Sequence, residues 1–278
     1  MKAWLETSAV VSLYFRNRAN REACLSVIPE GADAVISRYV MFELARGFLS
    51  RLRRFHNDSL SCTKWHELRA LVKKGRNEYT YEGKCWRDAL DDVEEALETG
   101  EDSKERGLPW MVPGKALAFF RARLRGMIAE GWDCCCEDYI LENRAGCRSD
   151  LPAPYQDAAR LLQHDLPVSE CGKPGTCGLL SLIRKNREAL ERVRAETGKS
   201  KAKKKQGERE RRLAGLEHLL SAKGEAFDGT QCHACGDAII ALESSLTAED
   251  CVITKDKADF PPICRALRCK APVIVPHV

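Results

Sequence analysis

No stretch of this chain is apolar for long enough to span a bilayer, which takes about twenty consecutive apolar residues. Nor is an export leader expected at the N-terminus. Glu6 interrupts the first apolar run and no cleavage pattern follows, so a cytoplasmic setting is expected. The six histidines form no nucleophile–base arrangement, which excludes cysteine-protease chemistry despite abundant thiols. No repeat of fixed period occurs, so a solenoid is not expected. A second well-spaced cysteine pair is also lacking. Cys232-His-Ala-Cys235 has the spacing of a zinc knuckle, but a tetrahedral thiolate site needs four ligands, usually from two such pairs. Cys134, Cys135, Cys136, Cys147, Cys171 and Cys177 form only a looser set. Buried or surface free thiols therefore outrank a structural Zn²⁺ or Fe–S site at Cys232 and Cys235.

What is present points to a globular protein with a highly charged surface. Hydrophobic residues make up 44% and charged residues 31% of 278, enough for one large domain or two ordinary ones. The fourteen cysteines, without an export signal, argue for reduced thiols rather than a disulfide framework. The net charge of +4 is unevenly distributed. Arg184 to Arg212 holds 13 Lys/Arg against 5 Asp/Glu, a net +8, while Glu78 to Glu105 holds 11 acids against 3 bases, a net −8. A basic block of this density suits a phosphate backbone through counterion release. A solvated helix and linker is the plainer reading, favoured for Lys199–Lys205 alone.

The first fifty residues read as strand, helix, strand, helix. Lys2–Leu5 forms a strand, and Thr7 or Ser8 caps a helix to about Arg18. Ala34–Ile36 forms a second strand, and Ser37 caps a helix to about Arg54, with Val40, Leu44 and Phe48 as its apolar stripe. The last forty-seven residues resume this pattern. They predict a helix over Asp237–Leu246, a strand over Cys251–Thr254, a short helix from Pro261 and a final strand within Pro272–Pro276. Alternating β and α elements argue for a parallel sheet.

Phe55 to Thr230 reads as helical. Trp65–Lys74, Asp88–Glu98, Lys115–Glu130, Gln156–Gln163 and Leu179–Arg194 carry three- and four-residue apolar spacings, with breaks at Gly107–Gly114 and Arg148–Pro154. The expected organisation is a discontinuous α/β core, 1–54 and 231–278, with a mainly α-helical insertion over 55–230 that supplies no metal ligands.

Four acids of the two end segments stand in settings that could present them to a shared metal ion. Glu6 and Asp256 each follow a predicted strand, at the carboxyl end where open α/β sheets bind ligands. Glu43 lies beside the apolar stripe of its helix, and Asp237 opens a helix. Carboxylates brought together repel, and a hard cation such as Mg²⁺ or Mn²⁺ relieves the repulsion.

Leu5-Glu-Thr-Ser, Phe42-Glu-Leu, Gly236-Asp-Ala-Ile-Ile-Ala and Thr254-Lys-Asp-Lys-Ala-Asp-Phe260 together resemble the PIN-domain nucleases in order and local context. The family's first acid is usually Asp, whereas Glu6 is one methylene longer. The resemblance covers about a hundred residues, Lys2 to about Arg54 and Cys232 to Val278, and does not extend to the central helical part. It implies a PIN-like parallel sheet flanked by helices and a metal-dependent endoribonuclease, in the manner of toxin-like members. Glu6, Glu43, Asp237 and Asp256 are then the catalytic and metal-binding acids, and Asp259 is a fifth ligand or equally a helix cap. The Thr254 hydroxyl holds a neighbouring carboxylate or phosphate, and Thr7 and Ser8 have a similar claim, with helix capping the plainer reading for both. His233 is a candidate substrate contact or, more simply, an ordinary polar residue. Lys203, Lys204, Lys205, Arg211 and Arg212, aided by Arg51, Arg53 and Arg54, are expected to bind nucleic acid backbone. RNA is favoured over DNA because it is the commoner bacterial substrate of the resembled family. The alternatives are a PIN-like scaffold with little catalysis, for which a long insertion offers contacts to a protein partner or inhibitor, and a structure-specific DNA nuclease.

Overall fold

A computed structural model describes residues 1–78, 82–102, 115–147, 178–199, 206–221, 232 and 234–277. Its centre is a five-stranded parallel sheet of order β3-β2-β1-β4-β5. The strands are β1 (Lys2–Leu5), β2 (Asp33–Ser37), β3 (Ile140–Glu142), β4 (Cys251–Thr254) and β5 (Val273–Ile274). Trp4 lies opposite Val35 on one side and Val252 on the other. Ala3, Trp4 and Leu5 are all buried, as is the whole of β4, which is the pattern of a parallel strand covered on both faces.

The path of the chain sets the position of the site. From β1 it steps outward to β2 and β3, then returns across β1 to lay down β4 and β5. The direction reverses between β1 and β4, and the crevice at their carboxyl ends is where such sheets bind ligands. Glu6 and Asp256 follow those two strands directly.

The helices before and after β2 are α1 (Thr7–Tyr14), α2 (Arg18–Leu25) and α3 (Arg38–Glu43). Ser37 caps α3 as expected, its hydroxyl accepting from the Tyr39 N–H at 3.0 Å. Two expectations need correcting here. Glu6 itself caps α1, accepting from the Ser8 N–H at 2.9 Å, because a carboxylate in extended backbone reaches the donor two residues on. The helix also stops at Tyr14 rather than near Arg18, since Asn17 starts α2 by accepting from the Asn20 N–H. A π-helical turn, Leu44–Leu49, follows Glu43, and α4 (Ser50–Ser59) carries the same axis beyond Arg54. Such turns are frequent at functional sites.

The middle of the chain supplies α5 (Trp65–Glu78), α6 (Glu82–Asp102), α7 (Ala116–Glu137), α8 (Leu179–Lys185), α9 (Arg187–Lys199) and α10 (Gln206–Ser221). The helix expected over Leu179–Arg194 is broken at Asn186, whose side-chain amide donates to the Leu182 carbonyl at 2.9 Å and closes α8. Gln156–Gln163 and the two expected breaks lie outside the described residues. The mainly helical reading of the middle does not include β3. That strand pairs Val35, Ile36 and Ser37 with Ile140, Leu141 and Glu142, and an ion pair joins Glu142 to Lys2. It is three residues long and half-exposed, so no apolar alternation betrays it.

Packing joins the middle to the two end segments. Phe120 and Trp132 of α7 share one continuous core with Trp4 and Val252. Each such fully buried side chain contributes about 1.5–3 kcal/mol. α9 packs on α10 and on α12 (Phe260–Leu267), which follows β4. Residues just after β3 tie down the sheet. Arg144 sits 4.7 Å over the Trp4 ring and 3.2 Å from Asp250, and the Ala145 N–H donates to buried Glu243 at 2.7 Å. Asp250 also accepts from the Lys2 N–H and the Trp4 indole. Burial alone would push its carboxyl up, but these donors and Arg144 outweigh it and hold it below the usual range. No helix among the described residues is long and apolar enough to cross a membrane.

Candidate metal centre

At the carboxyl ends of β1 and β4 the chain assembles acids that are far apart in sequence. Asp237 enters on the first turn of α11 (Gly236–Ser245), an end of a helix that favours an anion. Asp256 and Asp259 come from the loop between β4 and α12. One oxygen from each of these three lies within 4.8 Å of the others. Glu6 and Glu43 approach from β1 and α3, near enough to Asp237 and to each other for their charges to interact.

Glu6 is held by a built network. Its Oε2 accepts from the Ser8 N–H at 2.9 Å, from the Ser8 hydroxyl, and from the Thr254 hydroxyl at 3.0 Å. Each hydroxyl in turn accepts a backbone N–H, Ser8 from Lys255 and Thr254 from Asp256, both at 2.9 Å. The two hydroxyl protons are thereby committed to Glu6. Thr254 also fixes the turn that presents Asp256. Asp256 Oδ1 accepts from the N–H groups of Ala258 and Asp259, at 2.8 and 2.9 Å. Asp259 stands at the N-cap position of α12, yet its side chain does not cap that helix and turns to Arg212 instead.

Glu43 is positioned from two sides. The Thr7 hydroxyl donates to its Oε2 at 2.6 Å, and the Tyr39 hydroxyl lies 3.4 Å from Oε1 while donating to the Cys232 carbonyl at 2.7 Å. Gly236 makes this approach feasible. A Cβ there would lie 2.3 Å from Glu43 Oε1, so any other residue would displace the carboxylate.

The electrostatics reflect crowding. Burial, then Asp237 and Glu43, push the Glu6 carboxyl up to about 8 against the pull of its Ser8 donors. Burial is also the main influence on Asp237. With Glu43, Asp256 and Asp259 it raises that carboxyl to about 7, although Arg212 pulls it down. Carboxylates crowded in this way are the electrostatic setting that a bound cation would relieve. The donor set suits a hard divalent ion. At bond lengths of about 2.1 Å, two oxygens on one Mg²⁺ lie about 3.0 Å apart when adjacent and 4.2 Å when opposite. The three oxygens all lie within 4.8 Å of one another, so a shared ion would draw them closer together.

Arg212 requires a correction. Its expected place was on a nucleic-acid surface, but its side chain is only 14% exposed and reaches into the cluster from α10. One guanidinium nitrogen bonds Asp237 Oδ2, and the other lies 3.2 Å from Asp259 Oδ1. Burial works against its charge, yet Asp237, Asp259 and Asp256 outweigh that and raise its pKa. Within a run of similar basic residues, nothing in the sequence singles it out. Arg211 remains exposed, whereas Lys203, Lys204, Lys205 and His233 lie outside the described residues. Arg51 pairs with Glu82 at 2.5 Å.

Cys232 and Cys235 are both buried, and burial pushes the Cys235 thiol up to about 12. Among the described residues, the one group of three or more ligand-type side chains within reach of a shared ion is Asp237, Asp256 and Asp259. Comparisons with family models, curated proteins and solved structures find no match to this chain.

Proposed function

We propose that the chain is a PIN-like, metal-dependent endoribonuclease. The observation that carries this reading is that Asp237, Asp256 and Asp259 offer oxygens within 4.8 Å of one another at the carboxyl ends of β1 and β4, where Glu6 and Glu43 lie near enough to Asp237 for their charges to interact, with 193 positions between Glu43 and Asp237. A surface of caps and solvated charges gives no reason for five acids to meet. Four of them, Glu6, Glu43, Asp237 and Asp256, are the acids that the resemblance to PIN-domain nucleases singles out.

Asp237, Asp256 and Asp259 would hold a Mg²⁺ or Mn²⁺ ion. Such an ion supplies Lewis acidity at the scissile phosphate. Glu43, fixed by Thr7, accepts a proton from the attacking water. Glu6, through Thr254, keeps Asp256 in register with the pocket. Arg184, Lys185, Arg194, Lys199 and Arg211 are exposed on α8, α9 and α10 and would attract the substrate backbone without reading sequence.

The test is cleavage of end-labelled RNA and DNA with Mn²⁺ or with EDTA, beside Asp237→Asn. RNA should shorten only with Mn²⁺, and the substitution should slow it by about a hundredfold or more. Cleavage that persists in EDTA, or an unaffected Asp237→Asn, would overturn the proposal. Equal cleavage of DNA would correct the substrate class.

A further inference from the structure

We infer that Arg212 is a built-in competitor for the divalent cation: its guanidinium holds the acid cluster in the metal-free protein and must withdraw before a cation binds. The inference rests on the metal-dependent reading above. Two of the three carboxylates that would ligate the ion, Asp237 and Asp259, are the two that Arg212 spans. A guanidinium taken this far out of water is stable only when its donors are matched, and its planar fork suits two adjacent carboxylates.

Helix α10 places Arg212 there. Its far end is anchored by buried Leu216, Leu219 and Leu220, and α9 packs along it, so the arginine arrives on a fixed element. Arg187 ties that anchored end to α9 by donating to the Leu220 carbonyl at 2.8 Å. A divalent ion among the same oxygens would face a unit positive charge a few ångströms away in a site of low dielectric. Both cations favour the acids and disfavour each other. The affinity measured for the ion is therefore its intrinsic affinity reduced to the fraction of molecules in which Arg212 is out. By linkage, ion binding must weaken the hold of α10 on the cluster to the same degree.

The experiment compares Mn²⁺ binding by calorimetry in the full chain and in Arg212→Gln and Arg212→Lys, with no substrate present. Arg212→Gln should bind Mn²⁺ about tenfold tighter or more, because the competing charge is gone. The same variant should unfold at lower temperature in EDTA and gain more from added Mn²⁺ than the parent gains. A second reading uses the parent alone. The Arg212 side-chain Nε–H signal, assigned by its loss in Arg212→Lys, should change in step with Mg²⁺ saturation. Equal Mn²⁺ affinity in parent and Arg212→Gln, or Mg²⁺ binding with that signal unmoved, would overturn the inference while leaving the metal centre standing. Absence of Mn²⁺ binding in every variant would overturn the metal reading and this one with it.

Discussion

Replacing Glu6 with Gln should make the metal-free protein more stable in alkaline solution, the reverse of the usual effect of altering a buried, well-bonded residue. Gln keeps an oxygen to accept from Ser8 and Thr254 while removing the charge that Asp237 and Glu43 oppose. The folded protein holds the Glu6 carboxyl at about 8 against an ordinary 4.5, so the native state binds the proton more tightly than the unfolded chain. A raised pKa on an acid gives stability that is fully present below pH 4.5 and lost as pH rises through 8. Between those limits the loss amounts to roughly 4 kcal/mol, at about 1.36 kcal/mol per pH unit. Urea unfolding in EDTA from pH 4.5 to 9 would measure it for parent and Glu6→Gln. The difference curve removes the other titrating groups the two proteins share. The expected result is a Gln variant whose advantage grows steadily toward pH 8. Parallel curves would show that Glu6 is not crowded by Asp237 and Glu43, and the electrostatic account of the cluster would fail.

Two further substitutions separate site geometry from stability. Gly236→Ala should change unfolding free energy by no more than about 1 kcal/mol, since helix propensity gains while the Glu43 carboxylate moves aside and the Tyr39 hydroxyl gives by a few tenths of an ångström. Its nuclease rate should nonetheless fall by about tenfold or more, because Glu43 is pushed from its place; an unchanged rate would remove Glu43 from the chemistry. Thr254→Val leaves Glu6 without one donor and the Asp256 N–H without its acceptor, so urea unfolding should show a loss of about 1–3 kcal/mol. A loss well under 1 kcal/mol would mean that the hydroxyl does not hold the two acids together.

Much of the sheet was legible because its strands are short apolar runs bounded by caps. Ala34–Ile36 and Cys251–Thr254 need no tertiary information, and Ser37 announces its helix by type and position. The acids were legible as candidates, since Glu6 and Asp256 each follow a strand and Asp237 opens a helix. Other features depend on distant partners. Ile140–Glu142 becomes a strand only because β2 offers it an edge and Lys2 a charge. Arg212 looks like Arg211 in sequence, and only the packing of α10 turns one toward the acids and leaves the other in solvent. Gly236 stands beside Asp237 in plain view, but its necessity follows from where Glu43 arrives, 193 residues away. The cap of α1 went to Glu6 rather than Thr7 because Thr7 directs its hydroxyl to Glu43.

The most direct measurement is anomalous diffraction from crystals soaked in Mn²⁺. The expected result is a peak within about 2.5 Å of oxygens from Asp237, Asp256 and Asp259, with the Arg212 guanidinium moved off the carboxylates. A cluster that stays free of Mn²⁺ at saturating concentration, with Arg212 still bridging Asp237 and Asp259, would contradict the account.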